Sequence, residues 1–233
     1  MIPAGKKAVK EEGEYNHSIY YTLNKMEIKL IEYQEKKNRL IFSLGGVDTA
    51  YANTLRRMMG YEVPVMSIDD VEFRKNTSIL YDELIAHRLG FIPLSTDLKA
   101  YDMQSECKCK GVGCASCTVK ITLKAAGPGT VYASDLKSKD PAIKPLYGKM
   151  PLVKLLDGQE IELEATAILG QGKEHSKWCP GLVYYKIPSP DKDEFIFTVE
   201  SWGQLTPKEI ITKAIDIYNK QLEEFAELIK KIE

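Results

Sequence analysis

The hydrophobic rhythm of this chain changes several times along its length. Ile28 and Leu30 alternate with Glu27 and Lys29, and Leu40, Phe42 and Leu44 alternate with Ile41 and Ser43, across the polar run Lys36-Lys37-Asn38. Period-two alternation on both sides of a short polar break predicts strand, turn and strand. After Gly45-Gly46 the period lengthens, and Tyr51, Leu55, Met58 and Met59 fall on one helical face. Asp48 stands where an N-cap belongs, and Gly60 where a left-handed residue would end the helix. From residue 61 the short period returns. Val71 and Phe73, then Val119, Ile121 and Leu123, then Ile161, Leu163, Ala165, Ala167 and Leu169, then Phe195, Phe197 and Val199 all read as strands. Gly127-Pro128-Gly129 reads as a turn, and residues 82–89 as a short helix ended by Gly90.

The C-terminus has a different rhythm. Thr206-Pro207-Lys208-Glu209 forms a capping box with proline at the first helical position. Beyond it Ile211, Ile215, Tyr218, Leu222, Phe225, Ile229 and Ile232 recur at alternating spacings of four and three, an unbroken heptad seam. Ile210, Ala214, Ile217 and Leu228 widen it. A helix over 206–233 would run roughly 40 Å, longer than the core of one small domain. Much of the seam is therefore expected to meet a helix of another subunit. Arg56 and Arg57, side by side in the first helix, are either a solvated pair or an anchor for a partner's acidic or carbonyl-bearing surface.

Composition narrows the picture. The 233 residues allow one large domain or two small ones, and 44% hydrophobic content supports a buried core. Thirty-two basic against 33 acidic residues leave a net charge of −1, which argues against nucleic acid as the main partner. Residues 1–16 are polar and read as a mobile tail. They lack the apolar stretch of a secretory leader, and no run approaches the ~20 apolar residues of a membrane span, so a cytoplasmic protein is expected.

The densest chemistry is Cys107-Lys108-Cys109, then Lys110 to Gly113, then Cys114-Ala115-Ser116-Cys117. Two cysteine pairs face each other across a loop containing Gly111 and Gly113, and four thiolates on so short a loop match a tetrahedral zinc shell. A four-thiolate shell leaves no open position, so the metal would be a structural staple. An iron–sulfur cluster, a redox dithiol and an empty loop are the competing readings. The remaining candidates are weaker. Asp69 and Asp70 are adjacent on a strand and should point to opposite faces, which makes a poor metal site. His17, His87 and His175 show no ligand spacing. Gly170-Gln171-Gly172-Lys173 lacks the phosphate-loop spacing and reads as a turn, and Cys179 reads as a packing residue. No catalytic constellation emerges.

Several stretches together carry a resemblance. Residues 47–57 (Val-Asp-Thr-Ala-Tyr-Ala-Asn-Thr-Leu-Arg-Arg) resemble the helix signature of the alpha-like subunits of multisubunit RNA polymerase. Glu62-Val63-Pro64, the stretches 68–73, 86–94 and 131–136, and 172–178 (Gly-Lys-Glu-His-Ser-Lys-Trp) are similar, in the same order, to the larger alpha-like subunit of the archaeal enzyme and to the third subunit of the eukaryotic one. The compact length looks archaeal. The resemblance implies an α+β architecture: a discontinuous dimerisation domain of a sheet plus long helices, residues 17–60 and 186–233, with an inserted strand-rich domain at 61–185 that carries the metal loop 107–117. It implies a non-catalytic assembly role in DNA-directed RNA polymerase, through heterodimerisation with the smaller alpha-like subunit L and contacts to subunits N and P and the second-largest subunit. DNA would be met only through the complex. The seam residues Ile211, Ile215, Tyr218, Leu222, Phe225 and Ile229 match the heterodimer interface, and Arg56 and Arg57 the face toward the large subunits. The metal loop has four residues between its cysteine pairs where the eukaryotic relatives have three. No iron–sulfur cluster is expected, because the ferredoxin-like insert of some archaeal relatives is missing here and Cys179 alone cannot hold one. The alternatives outside the family are a stand-alone zinc-stapled adaptor and a thiol-redox protein.

Overall fold

A computed structural model describes residues 25–189 and 194–232. The expected tail at 1–16, His17 and the opening of the expected dimerisation domain lie outside them. The fold is α+β, built on two antiparallel sheets.

The predicted hairpin forms from β1 (Glu27–Gln34) and β2 (Arg39–Gly45), with Asn38 taking the left-handed conformation at its turn. The partners of β2 come from the far end of the chain. Strands β9 (Gly181–Lys186) and β10 (Glu194–Ser201) complete the order β1-β2-β10-β9. Phe42 stacks on Phe197 at 5.1 Å between ring centroids, joining the two ends of the sequence in one core. Alternation in β1 predicts one buried face, yet Ile28 and Leu30 are both 65% exposed and Ile31, across a bulge, is 54% exposed. As an edge strand β1 pairs with β2 alone, and no described element packs on either face of it.

Helix α1 (Thr49–Arg57) starts as expected, with the Asp48 carboxylate accepting the Tyr51 N–H at 2.7 Å. Its end differs. It runs into a π-helical turn, Met58–Glu62, and Gly60 lies inside that turn instead of closing the helix. The wider turn lets the consecutive residues Met58 and Met59 both face the core.

The second sheet has the order β3-β8-β4-β6: β3 (Val65–Asn76), β8 (Glu160–Gly170), β4 (Thr118–Ala126) and the short β6 (Lys137–Ser138). Helix α2 (Asp82–Gly90) and the ribbon of β5 (Gly129–Tyr132) with β7 (Pro151–Leu155) close its inner side. Gly90 is the last helical residue, not the residue beyond it. The alternation read in the sequence holds: Ile161, Leu163, Ala165, Ala167 and Leu169 all point into the core. The opposite face carries Glu160, Glu162 and Glu164, paired across strands with Lys75, Lys124, Lys120 and Arg74. Asp69 and Asp70 straddle an irregularity in β3 and are both exposed, so strict alternation fails there.

Helix α3 (Pro207–Ile229) closes the first core, its N-terminus held by the predicted capping box. It is shorter than read from sequence, 23 residues or roughly 34 Å.

Candidate functional site

Three features carry the chemistry: the cysteine loop, the exposed end of α3, and the face of α1.

The cysteine loop precedes β4, which buries Cys117 completely at its foot. Gly111 and Gly113 take positive φ angles of 84° and 91°, the freedom a reversal this tight requires. All four Sγ atoms lie within 4.8 Å of one another. Cys107 to Cys114 and Cys109 to Cys117 are each 3.5 Å apart, and Cys114 to Cys117 is 3.8 Å. A tetrahedron with metal–sulfur bonds of about 2.3 Å has edges of about 3.8 Å, so the donor set fits one four-thiolate ion. The loop supplies unequal thiols. The Gly113 N–H draws the Cys109 pKa down to about 6, while burial pushes that of Cys117 up to about 12. Nearby, Tyr101 donates to Asp140 at 2.5 Å, tying the segment before the loop to the residues just past β6, and the Asp102 N–H donates to the Ser116 carbonyl at 2.9 Å, closing the base of the loop. The adjoining Glu106 reaches across to Lys220 of α3 at 2.9 Å.

Helix α3 divides lengthwise into two parts. Ile210 and Ala214 are fully buried, and Ile211, Ile217 and Tyr218 pack at the margin of the core. Of the line that widens the seam the chain covers Ile210, Ala214 and Ile217 itself, but not Leu228. Ile215, Leu222, Phe225 and Ile229 are 41–60% exposed, Leu228 is 59% and Ile232 80% exposed. From Asn219 onward every described residue of the helix is exposed.

On α1, Arg57 is exposed and Arg56 half-buried. Arg56 donates through Nε and Nη2 to the Asn53 amide oxygen at 3.1 and 3.0 Å. Neither arginine makes an ion pair among the described residues. Beside them lies a crossing that the local residue pattern presents as a simple turn. Gln171 donates to the Glu62 carbonyl at 2.7 Å, and Lys173 pairs with the Glu62 carboxylate at 2.7 Å. Gly172 packs so closely that a Cβ there would lie 2.8 Å from the Gly60 carbonyl oxygen. Lys177 pairs with Asp69 at 2.6 Å and lies 4.3 Å over the Trp178 ring. The contacts of residues 171–173 pin the π-helical turn to the segment that follows β8, and Lys177 pins that segment to β3. Two glycines bracketing a Gln in one turn are the only sequence signal for them. Cys179 is half-buried, and burial raises its thiol, in keeping with packing. His87 and His175 flank Phe91 on the surface, at 5.0 and 5.8 Å between ring centroids, and do not converge on a ligand site. No helix among the described residues is long and apolar enough to cross a membrane.

The family model of the RNA polymerase Rpb3/RpoA insert domain matches residues 63–179. DNA-directed RNA polymerase subunit Rpo3 of Methanosphaera stadtmanae is 47% identical over 192 residues, covering 78% of this chain and 70% of that protein. Rpo3 of Pyrococcus furiosus is 44% identical over 161 residues, 69% of this chain and 59% of that protein. Rpo3 of Thermococcus kodakarensis is 33% identical over 264 residues, 89% of this chain and 99% of that protein.

Proposed function

The chain belongs to the Rpb3/RpoA family of RNA polymerase subunits, and on that premise we propose that it is a non-catalytic assembly subunit of DNA-directed RNA polymerase. Its work is scaffolding in the cytoplasm. The first sheet with α1 and α3 is its dimerisation unit. The outer half of α3 pairs with the smaller alpha-like subunit L, and the resulting heterodimer offers the Arg56/Arg57 face of α1 to the second-largest subunit, with subunits N and P joining the assembly. The second sheet and its loops form the inserted unit, where Cys107, Cys109, Cys114 and Cys117 hold a structural zinc ion. The metal supplies cross-linking of a loop and no chemistry on substrate.

The observation that carries this reading is the outer half of α3. Leu222, Phe225, Leu228 and Ile229, with Ile232 in the turn that follows, form an apolar stripe beyond the end of the chain's own core. Seams of this kind are stable in water only when covered. Co-expression with a subunit L partner tests it: a stable one-to-one complex is expected, and a chain that stays monomeric in the presence of L would refute it.

A further inference from the structure

A groove of about 600 Å³ opens where the two halves of the molecule meet, beside the α1 face. Its rim is unusual. Tyr61, Phe91, Tyr147, Leu182 and Trp202 come from five separate segments, and each is 42–49% exposed. Large apolar side chains gathered round one concavity, with Tyr and Trp prominent, are the composition of a binding hot spot. The rim is also fixed in place. The Tyr147 hydroxyl donates to the Trp202 carbonyl at 3.0 Å, and the crossing at Gln171 to Lys177 locks the turn carrying Tyr61.

Charge selects the occupant. Lys177 lines the groove but is neutralised by Asp69. Arg56 also lines it and meets only the Asn53 amide among the described residues, which leaves guanidinium N–H groups to donate. A guanidinium beside an aromatic wall suits a carboxylate next to a bulky apolar group. The groove is open, and few polar groups converge in it, as a small polar metabolite would need to be oriented. We propose that this groove seats a protruding segment of a large polymerase subunit, an aromatic or branched aliphatic residue with an Asp or Glu beside it. The proposal rests on the assembly reading above and adds where the docking occurs and what it recognises.

The test uses the full heterodimer. Leu182→Asp places a repelling, desolvated carboxylate on the rim of an edge strand, and Trp202→Ala removes an anchor without adding charge. Both variants should keep the wild-type Tm and still bind subunit L. Both should weaken capture of the second-largest subunit by about tenfold or more. A benzophenone side chain introduced at position 182 should cross-link, in the reconstituted polymerase, to a peptide holding an acidic residue beside a bulky apolar one. Undiminished capture by both variants, or a cross-linked peptide without that pattern, would overturn the groove assignment while leaving the scaffold role standing. A wild-type heterodimer that captures no large subunit would overturn both.

Discussion

At Gly170 a single missing atom decides the packing. A Cβ there would lie 2.3 Å from the Trp178 indole, which is buried where β8 leaves the second sheet. Gly170→Ala must push that ring out of its site, and overpacking of this kind costs about 1–3 kcal/mol. A drop in denaturant midpoint with unchanged m-value is the expected readout. Tyr101 gives a pH-dependent case. Burial, and then the bond to Asp140, raise its phenol to about 12. The folded state therefore favours the protonated form. This stabilisation is full below the ordinary tyrosine value near 10 and is lost as pH rises toward about 12. Tyr101→Phe should lose stability at neutral pH and show a flatter decline between about pH 10 and 12 than the wild type. Parallel declines in the two proteins, followed by circular dichroism, would contradict the assignment.

Among the elements, α3 is the one whose two faces do different jobs. Ile210→Ala deletes buried carbon from the chain's own core and should cost about 2–5 kcal/mol in the isolated chain. Phe225 is 60% exposed, so Phe225→Asp should change the stability of the isolated chain by less than about 0.5 kcal/mol. In the proposed heterodimer it would bury an unpaired charge and should abolish pairing with subunit L, read by size-exclusion chromatography. Arg57→Glu on α1 should do the converse, leaving the heterodimer intact and weakening capture of a large subunit. Loss of the heterodimer itself would mean that the α1 face is misassigned.

Across the whole molecule, the cysteine loop ties elements together. Tyr101 bonds its upstream flank to Asp140 just past β6, the Asp102 N–H closes its base on the Ser116 carbonyl, and Glu106 pairs with Lys220 on α3. Chelation should release one metal equivalent and speed amide exchange across residues 102–118, with the β1–β2–β10 core little affected. A uniform rise in exchange over the chain would show instead that the loop holds the global fold. Much of this organisation is legible in the residues. Period-two runs locate β2, β4, β8 and β10, the Thr206-Pro207-Lys208-Glu209 box starts α3, and the spacing of four cysteines in eleven positions locates the loop on which four thiols converge. These signals are local, and each rests on neighbours within one or two turns. Strands β5, β7 and β9 are harder to see, because they are short, the Leu182-Val183-Tyr184-Tyr185 run of β9 does not alternate, and packing within the sheets decides them. A helix stop at Gly60 fails for the same kind of reason: burying both Met58 and Met59 favours a π-helical turn over a left-handed residue.

Local residue patterns suffice to mark most of the strands and helices, to put four thiols on one loop, and to give the last helix more apolar surface than one small core can cover. They do not say which apolar line of α3 the chain keeps for itself; the three-dimensional packing does. Ile210 and Ala214 meet the first core, and the remainder extends past its edge. Packing, too, brings Tyr61, Phe91, Tyr147, Leu182 and Trp202 round one groove. Periodicity reports which face of an element is apolar. Which neighbour covers that face depends on contacts between residues more than a hundred positions apart, and no local pattern encodes them.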